Sequence, residues 1–314
     1  MKKNLHLLSL LLTPIFFLLL SFTTQAQLPS YIPTNGLVGW WPFNGNANDL
    51  SGNGNNGTIT GATLTTDRLG NSNGAYFFDP NIVSSILITT PSNLTNNFSM
   101  VMWVKSNRIL NSQTESNLCP GSVSVPMANS NQNWAYEPAE GQPNIGVGFS
   151  IGTNGIFVAG HSTNLLVNHM SVNAALNGFT CVGIVYRSDS SFLYLNGDLS
   201  RSKPIYCSSV DKILSSTFKL GSALYSPNFS GIIDEYGLWS RALSANEIAV
   251  IYAGNSGNVG VNIAIPKRNL HVNNTMRLEP RDTAPDNPSK GDMYFDGLIN
   301  KLRVYDGTTW QNCW

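Results

Sequence analysis

From Leu37 onward, clusters of Gly, Asn, Ser and Pro cut the chain into short apolar runs, a punctuation that suits strands joined by tight turns. The runs fall at 37–43, 75–78, 86–89, 98–104, 145–151, 156–159, 179–186, 192–195, 217–220 and 232–239. Leu195-Asn196-Gly197-Asp198 places Asn-Gly directly after such a run, the strongest short signal for a hairpin. One segment reads as helix. Ser244 and Glu247 have the spacing of a capping box, Ile248, Ile251 and Tyr252 recur at helical spacing, and Gly254 stops the pattern. Many short strands and one late helix predict an antiparallel β-sandwich.

Composition narrows the function classes. The charges balance, 18 Lys+Arg against 18 Asp+Glu, and only 11% of residues are charged, against about 25% in an ordinary domain. A chain without a basic stripe does not suit nucleic acid, whose phosphates must be neutralised. The 38 Asn and 28 Gly disfavour helix interiors and so a helical bundle. With 42% hydrophobic and 10% aromatic residues, disorder is excluded as well.

Lys2 and Lys3, an apolar stretch over 5–22 and the small residue Ala26 read as a secretory signal peptide spanning 1–26. The expected address is therefore secreted, extracellular or cell-surface, by bacterial-type export, with no membrane insertion after cleavage. A linker at 27–35, a sandwich domain at 36–253 and a linker with a small β-rich region at 254–314 complete the expected organisation. The last region is too short to build a comfortable core alone, so packing on the sandwich or oligomerisation is expected of it. Cys119, Cys181, Cys207 and Cys313 allow two disulfides in any of three pairings, although Cys181, inside an apolar run, equally suits a buried free thiol.

Three segments resemble the laminin-G-like jelly roll of the concanavalin A-like lectin/glucanase superfamily. The first is Gly36-Leu37-Val38-Gly39-Trp40-Trp41-Pro42-Phe43, continuing through Asp49-Leu50-Ser51-Gly52-Asn53-Gly54-Asn55-Asn56-Gly57. The second is Phe192-Leu193-Tyr194-Leu195-Asn196-Gly197, and the third is Phe229-Ser230-Gly231-Ile232-Ile233-Asp234-Glu235-Tyr236, running on to Leu243-Ser244. Phe98-Ser99-Met100-Val101-Met102-Trp103-Val104 also looks like an inner strand of that family. The resemblance covers 36–253 and implies an all-β antiparallel jelly-roll sandwich. Gly291-Asp292-Met293-Tyr294-Phe295-Asp296 and Tyr305-Asp306-Gly307-Thr308-Thr309-Trp310 are similar to C-terminal segments of bacterial surface and phage-fibre-like proteins.

Asp49, Ser51, Asn53 and Gly54 occupy positions 1, 3, 5 and 6 of a loop like the start of an EF-hand, where alternating oxygens curl around calcium. Thr60 at the twelfth position and the lack of flanking helices rule out an EF-hand itself. The resemblance implies that Asp234 supplies further charge, and backbone oxygens as far as Gly57 would help fill the shell of a structural Ca2+. The alternative is an Asx-rich turn in which Asp49 and Asn53 bond their own backbone.

Glycosidase chemistry of the superfamily needs two carboxyl groups facing each other, about 5–5.5 Å apart in a retaining enzyme. Asp234 and Glu235 are adjacent, which puts them on opposite faces of a regular strand. Asp189 with Asp198, and Glu137 with Glu140, do not form the pair either, so no catalytic residue is expected. Gly70-Asn71-Ser72-Asn73-Gly74 matches the letters of a nucleophile elbow but precedes a strand rather than a helix. His161 and His169 read as solvated loop residues. Trp134 and Tyr136, in a polar stretch, are the candidate glycan contacts, the alternative being a loop anchored by its own aromatics. The expected function is non-catalytic binding of a glycan or extracellular surface protein. A structural adhesion or fibre-like subunit is the alternative, and a glycoside hydrolase the more distant one.

Overall fold

The computed structural model describes residues 27–110, 115, 133–136, 145–162, 165–205, 212–221, 229–254, 259–261, 270–272 and 276–313. They divide into two compact units that meet in sequence at Ser256/Gly257.

The first unit is an antiparallel jelly-roll sandwich. One sheet, the front, runs β14 (Asp198–Pro204), β13 (Ser190–Leu195), β12 (Thr180–Tyr186), β7 (Phe98–Ser106), β17 (Gly231–Trp239), β4 (Ala75–Phe78), β3 (Thr63–Thr65), and β1 (Leu37–Trp41) also pairs with β17. The back sheet runs β11 (Leu165–Asn173), β10 (Gly155–Ser162), β9 (Ile145–Gly152), β8 (Trp134–Tyr136), β16 (Thr217–Leu220), β5 (Ser85–Thr89), β2 (Thr58–Thr60). Two short strands, β15 (Lys212–Leu214) and β6 (Leu94–Thr95), extend the back sheet, and β15 joins β9 in parallel. Strand alternation builds the core between the sheets. Met100, Met102 and Val104 of β7 with Ile233, Tyr236 and Leu238 of β17 meet Val147, Phe149 and Ile151 of β9, Ile86 and Ile88 of β5, and Phe218 of β16.

The continuous apolar run of β7 has a second consequence. Its alternate residues Val101 and Trp103 point outward, where they join Trp40, Cys181, Val185, Tyr194 and Trp239 in a second buried cluster. Helix α1 (Ala245–Gly254) covers this face with Ile248 and Ile251, and Ile32 adds to the cover. The segment before β1, expected as a linker, is thus bound to the sandwich. Trp239 Nε1 donates to Pro33 O at 2.7 Å, and Arg241 Nε donates to Asn35 O at 2.8 Å. Gly39 and Gly237 are needed here because a Cβ on either would lie within 2.5 Å of the Trp41 or Trp239 ring.

The local signals are realised as read. Asn196 and Gly197 both have positive φ, 52° and 85°, and Leu195 pairs Asp198 across a two-residue hairpin. Ser244 Oγ accepts the Glu247 N–H at 3.2 Å while Glu247 Oε2 accepts the Ser244 N–H at 2.8 Å. Cys181 and Cys313 are free thiols, and Cys119 and Cys207 lie outside the described residues. No disulfide is formed among the described residues, and Cys181 is the buried thiol of the alternative reading.

The second unit contains a parallel pair, β18 (Val259–Val261) with β19 (Leu270–Val272), and an antiparallel sheet, β20 (Met293–Asp296), β21 (Lys301–Tyr305), β22 (Trp310–Asn312). Tyr294 stands edge-on to Trp310 at 4.7 Å and donates its hydroxyl to Asp296 at 2.9 Å. Met293, Leu298 and Ile299 are exposed. No helix among the described residues is long and apolar enough to cross a membrane.

Because the capping box starts the only helix over the second cluster among the described residues, Ser244→Ala should lower the unfolding free energy by about 1 kcal/mol. Urea unfolding should show the loss as a lower midpoint at unchanged slope.

Candidate functional site

Asp49 lies in the loop that follows β1, and burial (7% exposed) forces its carboxylate to find partners. Oδ1 accepts the N–H groups of Trp40 (3.0 Å) and Ser51 (2.8 Å), and Oδ2 accepts the Ser51 hydroxyl (2.8 Å) and the Asn55 N–H (3.0 Å). Asn53 Nδ2 donates to the carbonyls of Leu37 and Val38 at 2.9 and 3.0 Å. Gly57 closes the loop through its N–H to Ala47 O at 2.7 Å, and a Cβ there would meet Ile86 at 2.7 Å. Asp49, Ser51 and Asn53 are thus brought together as an Asx-type knot that sews the loop onto β1. A carboxylate offers about four lone-pair sites, and here all four face N–H or O–H donors. That donor set does not fit a calcium ion.

Asp234 is engaged elsewhere. On β17, Ile233 pairs Val104 and Tyr236 pairs Met102, so Asp234 and Glu235 together stand opposite Trp103. This is a β-bulge, with two residues against one. The bulge overturns the expectation of opposite faces. Ile233 and Tyr236 both point into the core, and Asp234 and Glu235 both reach Arg68, at 2.5 and 3.4 Å. The Arg68 N–H adds a bond to Asp234 Oδ2 at 3.2 Å, and the guanidinium lies 4.6 Å over the Trp103 ring, whose stacking partner is Tyr252 of α1.

All three charged side chains are nearly enclosed. Burial raises the Asp234 carboxyl above its ordinary range, opposed by Arg68. Burial raises Glu235 further, to about 8, with Arg68 opposing and the Asp234 charge adding to the rise. Glu235 Oε2 is buried without a hydrogen-bond partner among the described residues. No group of three or more His, Cys, Asp or Glu among the described residues could hold a metal ion.

Trp134 and Tyr136 do not form a loop contact surface. They belong to β8 and are 3% and 1% exposed. Trp134 packs edge-on against Phe157, and Tyr136 packs against Phe218 and Tyr236 in the core. The expectation of a glycan contact is corrected, since neither ring presents a face to solvent. Asn133 explains their placement. It accepts from Ser230 N at 2.7 Å and donates to Ser106 Oγ and Ile151 O at 2.9 Å, fixing the strand that follows. His161 and His169 lie in strands rather than loops, and His169 Nε2 meets Ser191 Oγ at 2.6 Å. That pair is no nucleophile site, because Ser191 is fully buried.

Sequence reasoning missed Arg68, whose polar surroundings gave it the look of a surface residue. The signal within reach was Asp67 to Gly74. There Asp67 Oδ1 accepts the N–H groups of Leu69 and Asn71 at 2.8 Å, Gly70 has φ of 90°, and Gly74 leaves no room for a Cβ beside the Asp67 carboxylate. A second missed cluster joins Glu115 to Arg201 at 2.6 Å and Lys203 at 3.7 Å. Though burial opposes it, hydrogen bonds from Arg201 and Ser171 hold Glu115 down at about 2.

Two outcomes follow from this geometry. Glu235 is raised from 4.5 to about 8, so its stabilising contribution is complete below pH 4.5 and is lost as pH rises towards 8. The unfolding free energy of Glu235→Gln should fall less over that window than that of the unsubstituted chain, in denaturant titrations run at a series of pH values. Trp134→Ala should cost about 3–5 kcal/mol of stability, read from the same titrations, as expected for a buried ring.

The model of a laminin-G-like family (Laminin_G_3), described as Concanavalin A-like lectin/glucanases superfamily, matches residues 83–249, just over half of the chain. A search of curated proteins finds no match. Among solved structures, the receptor-binding domain of botulinum neurotoxin D is similar at a TM-score of 0.52 and 18% identity, covering 70% of this chain and 53% of that one. The binding domain of botulinum neurotoxin DC in complex with rat synaptotagmin II gives 0.51 and 13%, covering 72% and 53%. The ligand-binding domain of botulinum neurotoxin serotype D in complex with N-acetylneuraminic acid gives 0.50 and 18%, covering 71% and 52%. This chain spans about half the length of those three, and at such identities the likeness is one of fold. The family match, together with the two-sheet sandwich and its late capped helix, places the chain in the laminin-G-like family of the concanavalin A-like lectin/glucanase superfamily.

Proposed function

We propose that this is an exported, non-catalytic recognition protein whose sandwich binds a glycan or a surface protein, with residues 254–314 serving attachment or oligomerisation. The observation that carries the reading is the engagement of Asp234 and Glu235 by Arg68. These acids lie side by side, as a glycosidase pair could, yet both are enclosed and tied to a guanidinium. A general acid has to reach the leaving-group oxygen of its substrate, and these cannot without displacing Arg68 and the cover above Trp103. The neurotoxin domains of like fold support both ligand classes, one being in complex with N-acetylneuraminic acid and another with synaptotagmin II. The signal-peptide pattern of residues 1–26 supports export.

A second reading, an assembly subunit without sugar affinity, is favoured by one observation. The C-terminal unit leaves Met293 and Leu298 more than half exposed, surface that a second copy could cover. A glycan array and a polysaccharide pull-down with the purified chain, run beside a reducing-end release assay and sedimentation analysis, separate the readings. Saturable sugar binding without product release is the expected result. Oligomers without sugar binding would favour the assembly subunit, and release abolished by Glu235→Gln would establish a glycosidase.

A further inference from the structure

We propose that Arg68 takes the place of a metal ion in this sandwich, supplying from within the chain the positive charge that holds β17 to the turn after β3, so that the fold closes without calcium. The inference goes beyond the recognition reading and does not depend on which ligand is bound.

Three observations converge on Arg68. The first is charge geometry: one guanidinium meets the carboxylates of Asp234 and Glu235, and its own backbone N–H returns to Asp234. The planar fork presents its donors in fixed directions, so it serves two acceptors at a smaller ordering cost than a lysine ammonium on its flexible stem. The second is enclosure. The Arg68 side chain is 6% exposed and lies over Trp103, so solvent screens the interaction little. The third is preorganisation. Asp67 folds the turn by accepting the Leu69 and Asn71 N–H groups and the Asn71 side-chain amide, which sets the direction in which Arg68 leaves the backbone.

A calcium ion at the same place would need six to eight oxygens. Most of the nearby carboxylate oxygens serve other partners: those of Asp49 accept from N–H and O–H donors, those of Asp67 hold its turn, and Asp234 Oδ2 accepts from Arg68. Arg68 ties the turn after β3, at the edge of the front sheet, to the same long central strand, β17, that the expected metal site would have tied to the loop after β1.

The test is a set of thermal melts of the purified chain in calcium chloride and in chelator, with Arg68→Met and Arg68→Met/Asp234→Asn beside it. Coincident melts of the unsubstituted chain in the two buffers are expected. Arg68→Met, which keeps an apolar stem over Trp103 and leaves the acids unpaired, should melt roughly 6–20 °C lower. The double variant should recover part of that loss, because it removes the buried carboxylate that Arg68→Met leaves without its partner. A drop in chelator that calcium restores in the unsubstituted chain would overturn the proposal. So would an Arg68→Met chain that melts with the unsubstituted one, or a double variant no more stable than the single. The chelator comparison uses the unsubstituted chain, so it decides the matter even if Arg68→Met does not fold.

Discussion

The front sheet is apolar on both faces, and most of what distinguishes this sandwich follows from covering the second one. β7 sends Met100, Met102 and Val104 inward and Val101 and Trp103 outward, and β12 sends Val182 and Ile184 inward and Cys181 and Val185 outward. An exposed outer face of that kind would cost about 1.5–3 kcal/mol for each large side chain left in water. Helix α1 and the segment that contributes Ile32 meet this demand, and their polar ties explain themselves in turn. The capping box begins the helix where it must lie, and Trp239 Nε1 and Arg241 hold the preceding segment by its carbonyls. The Asp49 knot performs the same service for β1, fixing the loop beside Trp40 and Trp41 through backbone donors.

Once that face is covered, any charge beneath the cover must be paired inside the protein. Asp234 and Glu235 are brought beneath it by the bulge on β17, and Arg68 reaches them from the turn after β3. Removing one member of such a group is far costlier than the group's net worth, because the remaining charges stay buried. The cluster is therefore a constraint on which loops can approach the helix side of the sandwich. It also shows why proximity of two carboxyl groups is not by itself a sign of catalysis. Access decides the matter, and here access is closed by Trp103, Tyr252 and the guanidinium.

The fold was legible because its signals are local. Asn196-Gly197 turned where a type I′ pair turns, Ser244 and Glu247 capped the helix they flank, and the runs at 75–78 and 217–220 became strands of those bounds. Short strands without apolar alternation were not legible. Thr58–Thr60 and Thr63–Thr65 are edge strands whose residues are largely exposed, and only their pairing with β5 and β4 makes them strands. The site was read less well for a different reason. The opposite-face argument for Asp234 and Glu235 assumed a regular strand, and a bulge is a tertiary response to packing that no spacing rule announces. Trp134 and Tyr136 misled because their neighbours in sequence are polar, while their neighbours in space are Phe157, Phe218 and Tyr236.

A polar motif acquires its meaning from what its lone pairs face. Asp49-Leu50-Ser51-Gly52-Asn53-Gly54 has oxygens at the spacing of a cation loop, and the same oxygens at the same spacing serve a chain that must satisfy its own amides. The two cases differ in direction: ligand oxygens converge on a common centre, whereas those of Asp49 diverge to Trp40, Ser51 and Asn55. A loop of this kind, in a chain with so little charge, solves the problem that Asn-rich turns present, that of burying backbone donors without strands to pair them. The chain meets its need for buried positive charge with an arginine and its need for loop order with asparagine and aspartate. Both solutions keep the polar chemistry internal, which leaves strand edges and loops, rather than the acid cluster, as the surfaces from which recognition can be built.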